Sequence, residues 1–183
     1  MNLHVPTAAR RILSAAAVAC AAALVPAAAL ASPGTHAGPA RTATPSCATS
    51  GLDIWMNSQG NGALGTTYYH LEITNLSGST CTLFGYPGVS GVRLTGTQLG
   101  SAAGRNGSTA HTVTLANGAT AHALLGIVEA GNFPASQCGP VTAAGLRVYP
   151  PNQTQSRVAP YPFSACSKSG PIYLNVGPMQ SGT

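Results

Sequence analysis

The sequence predicts an all-β chain, and three observations predict it. Hydrophobic residues recur with a period of two in short runs. Gly, Pro and Asn separate those runs. Cys47, Cys81, Cys138 and Cys166 form an even set downstream of an export-type leader, as expected of a disulfide-stapled domain. Each run buries one face, so the expected architecture is an antiparallel β-sandwich, immunoglobulin-like in outline, with two disulfides.

Arg10 and Arg11 precede an apolar run from Ile12 to Leu30, and Ala29-Leu30-Ala31 supplies a small-residue cleavage site. Residues 1–31 are therefore expected to be a signal peptide cut after Ala31. The run is just long enough to span a bilayer, but Pro26 interrupts it and no positive cluster follows. A twin-arginine route ranks behind, because disulfides would have to form in a reducing cytosol. Lipid attachment at Cys20 also ranks behind, because it would leave Leu24 and Val25 in a greasy mature N-terminus. Residues 32–46 are rich in Pro, Ala, Thr and Gly and read as a flexible lead. The domain is expected over 47–178, with no internal repeat.

Within it, Leu52, Ile54 and Met56 alternate with Asp53 and Trp55, and Tyr69, Leu71 and Ile73 alternate with His70, Glu72 and Thr74. Cys81 and Leu83 share a face, then come Val92 and Leu94, and Val113 and Leu115. Ala121, Ala123, Leu125 and Ile127 mark a longer run; Ala and Leu also suit a helix, but the alternation and the preceding Asn117-Gly118 turn favour strand. Leu146 and Val148 precede Pro150-Pro151, and Ile172, Leu174 and Val176 close the set.

Charged residues make up 6% of the chain, against about 25% in ordinary soluble domains. Beyond the leader, six scattered bases face three carboxylates and form no basic stripe. Nucleic-acid binding by phosphate neutralisation is thus not expected. The four cysteines allow three pairings; Cys47–Cys81 with Cys138–Cys166 would close two loops of roughly 30 residues, each stabilising by about 3–4 kcal/mol. No C-x-x-C spacing suggests zinc, and an exported thiol would tend to oxidise.

No catalytic, cofactor or metal residue is assigned. Gly88-Val89-Ser90-Gly91 falls one residue short of a nucleophile elbow, and Ser164 lies four residues before Lys168 rather than three. A glycosidase would need two carboxylates facing each other, and Asp53, Glu72 and Glu129 are the three available. Their placement reads as solvated strand faces. His36, His70, His111 and His122 show no metal-binding spacing. Three Asn-x-Ser/Thr acceptors, at Asn75, Asn106 and Asn152, are expected by chance in so Ser- and Thr-rich a chain. Trp55 falls on the parity opposite Leu52 and Ile54, which would expose it; the reverse register would make it the core aromatic, and the size of its ring favours burial.

The stretch from Ile73 to Val89, ITNLSGSTCTLFGYPGV, carries a T-N-x-S…C-x-L-x-G-Y-P-G-V pattern. It resembles the actinobacterial domain-of-unknown-function family 4232. Val113-Thr114-Leu115 with Asn117 to Ala121, and Leu146 to Pro151, resemble two further segments of that family, although Asn117 stands where a Pro is usual. The resemblance covers about Cys47 to Val176 and includes the four-cysteine layout. It implies a secreted or envelope-attached β-sandwich and supplies no catalytic residues. Physically the stretch reads as scaffolding: Asn75 caps a turn, Gly85 permits a positive φ and Pro87 fixes the bend, with Tyr86 more a turn residue than a contact residue.

The expected function is a secreted or envelope-associated, non-enzymatic binding or structural module without cofactor, monomeric, with no transmembrane segment in the mature chain. Its partner would be an envelope or extracellular protein or polysaccharide. Two alternatives stand beside it. One is an envelope-polymer hydrolase using Glu72 with Asp53 or Glu129. The other is an inhibitor presenting the loop Ala130 to Gln137 or Pro150 to Ser156.

Overall fold

Alternation in the sequence becomes alternation in burial. In the computed structural model, which describes residues 43–107 and 109–182, Leu52 and Ile54 are buried and Asp53 and Trp55 are exposed. The leader, Cys20, His36 and most of the lead lie outside the described residues. Among the described residues twelve strands follow one another: β1 (Leu52–Met56), β2 (Asn61–Ala63), β3 (Thr66–Asn75), β4 (Cys81–Phe84), β5 (Gly88–Val92), β6 (Gln98–Leu99), β7 (Gly104–Arg105), β8 (Thr112–Leu115), β9 (Thr120–Val128), β10 (Pro140–Tyr149), β11 (Arg157–Cys166) and β12 (Leu174–Ser181). Helical structure among the described residues amounts to two 3-10 turns, Thr49–Gly51 and Ala130–Asn132, and one α-turn, Ala135–Cys138. No described helix is long and apolar enough to cross a membrane.

One sheet has the order β1-β3-β9-β12-β7, with β2 added on β3; β12 and β7 pair in parallel and the other neighbours are antiparallel. A second, antiparallel sheet has the order β11-β10-β5-β6, and β4 and β8 form a separate ribbon. Leu71, Ile73 and Leu125 of the first sheet share one core with Val89, Leu146 and Val148 of the second. Rings bridge the sheets: Tyr69 meets Tyr161 edge-on at 5.2 Å, and Phe163 and Tyr173 continue the row. Tyr173 is fully buried, its hydroxyl donates to the Leu99 carbonyl at 2.8 Å, and burial pushes its pKa up to about 12. The ring is thus a neutral donor, as a buried phenol needs.

The disulfides join Cys47 to Cys81 and Cys138 to Cys166. The first ties the chain ahead of β1 to the start of β4; the second ties the α-turn to the end of β11. All four cysteines are buried. The lead is already anchored before Cys47, because Ser46 bridges to Thr82 and the Thr82 amide donates to the Pro45 carbonyl.

The Asn75 turn is fully satisfied. Its amide nitrogen donates to the Ser79 and Leu115 carbonyls, and its Oδ1 accepts from the Ser77 amide and hydroxyl. A side chain buried to 0% exposure therefore keeps every polar atom partnered. Asn117, in the place of the usual Pro, accepts from the Gly78 amide and so links the two turns. Gly85 has φ +110°, as the turn requires. Tyr86 is half-buried, with the Arg105 guanidinium 5.6 Å from its ring centroid.

Three expectations need correction. Leu94 is 96% exposed, because the chain leaves β5 at Val92 and closes a turn in which Gly96 donates to Arg93 and Arg93 to Thr97. Ile172 is exposed, and Tyr173 takes the buried place ahead of Leu174; a register shift between Val176 and Met179 then buries Met179. Trp55 is 39% exposed rather than a core aromatic. The parity that buries Leu52 and Ile54 leaves it outside, and the two sheets fill their interface with Tyr69, Tyr161 and Phe163 instead.

Candidate functional site

The outer face of the larger sheet is laid out by its register. Trp55 on β1 stands opposite Glu72 on β3, which stands opposite His122 on β9, which stands opposite Gln180 on β12. One row along, the Asn57 amide donates to the His70 carbonyl, and His70 stands opposite Leu124. One row further, Asn61 on β2 faces Tyr68, and Tyr68 faces Gly126. Side chains on one face repeat every second residue, so Tyr68, His70, Glu72 and Thr74 all point outward.

Glu72 departs from its neighbours. It was expected on a solvated face, yet its side chain is 0% exposed and neither carboxylate oxygen has a hydrogen bond of ordinary geometry. It is buried on the outside of the sheet, beneath bulky side chains in the adjacent positions. Trp55 lies across the strand on one side, its indole N–H donating to the Thr74 hydroxyl at 3.3 Å. On the other side the His70 and His122 rings stack, centroids 4.2 Å apart and planes 11° from parallel. His70 Nδ1 is 3.8 Å from Glu72 Oε1, an electrostatic contact longer than a hydrogen bond. Burial pushes the Glu72 carboxyl above its ordinary range; His122, His70 and then the Asn57 carboxamide pull it back by less. His122 Nδ1 lies 2.8 Å from the Gly182 carbonyl oxygen, which can only accept, so that nitrogen carries the hydrogen.

Beside this cluster opens a cleft of about 390 Å³. Asn57, Gln59 and Asn61 line one side, and Tyr68, His70 and Leu124 the other. The polar side is set by a local turn: Asn57 Oδ1 accepts from the Gln59 amide, an Asx turn that swings the chain into β2. Leu64 at φ +49° and Gly65 at φ +77° then return it into β3. The Tyr68 ring is held over bare backbone, since a Cβ on Gly126 would come within 3.0 Å of its Cε1. A larger hollow of about 520 Å³ around Leu94, Ala143 and Pro162 is bordered by the single charged side chain Arg93 and lacks a convergent polar set.

The other residues weighed from sequence do not join the site. Asp53 is exposed and stands opposite Thr74, one diagonal step from Glu72. Glu129 is exposed just past β9, roughly 20 Å along the strand from the Glu72 row. His111 is exposed ahead of β8. Among the described residues no group of three or more His, Cys, Asp or Glu is placed to hold a metal ion. Of the two loops considered for an inhibitor, Ala130 to Gln137 is folded into a 3-10 turn and the α-turn. In Pro150 to Ser156, Asn152 donates to the Phe84 carbonyl. Sequence reasoning passed over Asn57, Gln59, Asn61 and Tyr68. Their signal was a polar, Gly-containing NSQGN segment next to a strand whose outward parity carries an aromatic and a histidine.

The chain matches the model of the family described as a domain of unknown function (DUF4232) over residues 47–180. Comparison with curated proteins and with solved structures gives no match.

Proposed function

The chain belongs to the DUF4232 family, and from that premise we propose that it is a secreted or envelope-associated, non-enzymatic module that binds an uncharged, hydroxyl-rich polysaccharide through the cleft of its larger sheet. The observation that carries this reading is the lining of the cleft. Gln59 and Asn61 each offer two donors and an acceptor, matched to hydroxyl groups, while Tyr68 and Leu124 offer apolar surface to a sugar ring. Trp55 extends the aromatic surface on the same sheet face. A surface poor in charge suits a neutral ligand, because nothing in it steers an ion. Export is supported by the Arg10-Arg11 leader with its Ala29-Leu30-Ala31 site, and by two disulfides, which persist in oxidising compartments.

The test is co-sedimentation of the purified chain with insoluble envelope polysaccharide, followed by a neutral-oligosaccharide array. Wild type is expected in the pellet, with Tyr68→Ala and Asn61→Ala each reducing retention about tenfold, the loss of one good contact. Equal retention of both variants, or no retention of wild type, would remove the cleft as the binding site.

One observation favours the hydrolase alternative: a buried carboxylate stands behind a histidine that lines the cleft. That pair resembles the base and orienting group of acid–base catalysis but has no nucleophile beside it. Release of reducing ends from the same polysaccharide, abolished in Glu72→Gln, would establish this reading in place of simple binding.

A further inference from the structure

The cluster of His70, Glu72 and His122 is unexplained by ligand binding alone. A buried carboxylate with no hydrogen bond of ordinary geometry costs stability, and an apolar residue at such a position would carry no such penalty. Both rings above it are of the one side-chain type that changes charge between pH 5 and 8. Moreover, His70 is itself part of the cleft wall, and His122 holds the end of β12 through the Gly182 carbonyl.

We propose that these three residues form a proton-operated wall of the cleft: acid drives the stacked rings apart and reshapes the site, and neutral pH restores it. With no more than one ring charged, the pair can lie in contact over the carboxylate. Further protons go to His122 Nε2, since its Nδ1 is already bonded to Gly182, and to the free nitrogen of His70. Positive charge then accumulates on two rings 4.2 Å apart with a single carboxylate to offset it. Among the described residues no other base faces the cluster. From β1 the outward residues are Asp53, Trp55 and Asn57, from β3 Tyr68 and Thr74, from β9 Thr120 and Leu124, and from β12 Gln180. Asp53, the only other group among these that titrates in acid, is exposed and diagonal to Glu72, so it does not relieve the repulsion. When the stack separates, His70 leaves its place in the wall and the Gly182 anchor loosens. The device belongs to the protein itself and does not depend on which ligand the cleft takes.

The test is an NMR titration of the histidine side chains of the full chain from pH 8 to pH 4.5, without ligand, with exposed His111 as the internal reference. Like charge on neighbouring rings should make His70 and His122 take up their protons in two distinct steps, where independent rings would not. The Asn57 and Asn61 side-chain amides and the Gly182 amide are expected to move with the lower step. In Glu72→Gln the upper step should fall to lower pH, because no carboxylate is left to favour an imidazolium. Should that variant not fold, His70→Asn serves: His122 should then titrate in one step, above the lower step of wild type. A single shared step in wild type with static cleft amides, or no change in either variant, would overturn the proposal. Because no ligand is present, this result stands apart from success or failure of polysaccharide binding.

Discussion

Glu72 and Asn75 lie three residues apart on β3, both fully buried, and resolve the same problem in opposite ways. Asn75 meets its polar atoms with four partners inside its own turn. Glu72 has no hydrogen bond of ordinary geometry, and burial pushes its carboxyl above the ordinary range further than His122, His70 and Asn57 pull it back. A carboxyl raised in the folded state contributes stability in acid that is lost as pH rises through the folded-state value. Wild type is therefore expected to lose stability, relative to Glu72→Gln, as pH rises above the ordinary carboxylate value of 4.5. Denaturant unfolding should show Glu72→Gln more stable by about 1–3 kcal/mol at pH 7.5 and level with wild type near pH 4. A difference independent of pH would mean that shape, not charge, sets the effect.

At the scale of elements, the inward faces of β3 and β9 were legible, because Leu71 and Ile73, and Ala121, Ala123, Leu125 and Ile127, recur at every second position. Strands that end at turns were less so. β5 stops at Val92 and not at Leu94, and β12 begins beyond Ile172, because hydrogen bonding in the turns overrode the alternation. The β2–β3 hairpin was not anticipated, since Asn61–Ala63 is too short and polar to show a period. Its two-residue turn puts Leu64 at φ +49° and Gly65 at φ +77°, the pattern that favours Asn-Gly. Leu64 is fully exposed and gains nothing by burial. Leu64→Asn is expected to raise stability by about 0.5–1 kcal/mol, seen as a higher melting temperature. A lower one would mean that the leucine makes a contact in the intact protein.

Over the whole molecule, two covalent links compensate for a surface with little charge and a core assembled from distant segments. Cys138–Cys166 closes a 28-residue separation and Cys47–Cys81 one of 34. Replacing Cys138 and Cys166 together by Ala should cost about 3–4 kcal/mol in urea unfolding while leaving the strand signal in circular dichroism intact. Loss of all β structure would instead make that link a condition of folding. Composition and local pattern alone determined the β class, the cysteine set and the turn at Asn75. Each of these follows from a residue's own chemistry or that of its near neighbours in the chain. Tertiary structure decided what lies opposite what: that Trp55 is outside, that Glu72 is sealed beneath two histidines, and that NSQGN folds back to face Tyr68. Those relations depend on register between strands up to about fifty residues apart, and a period of two fixes which face a residue takes without fixing its neighbour across the sheet.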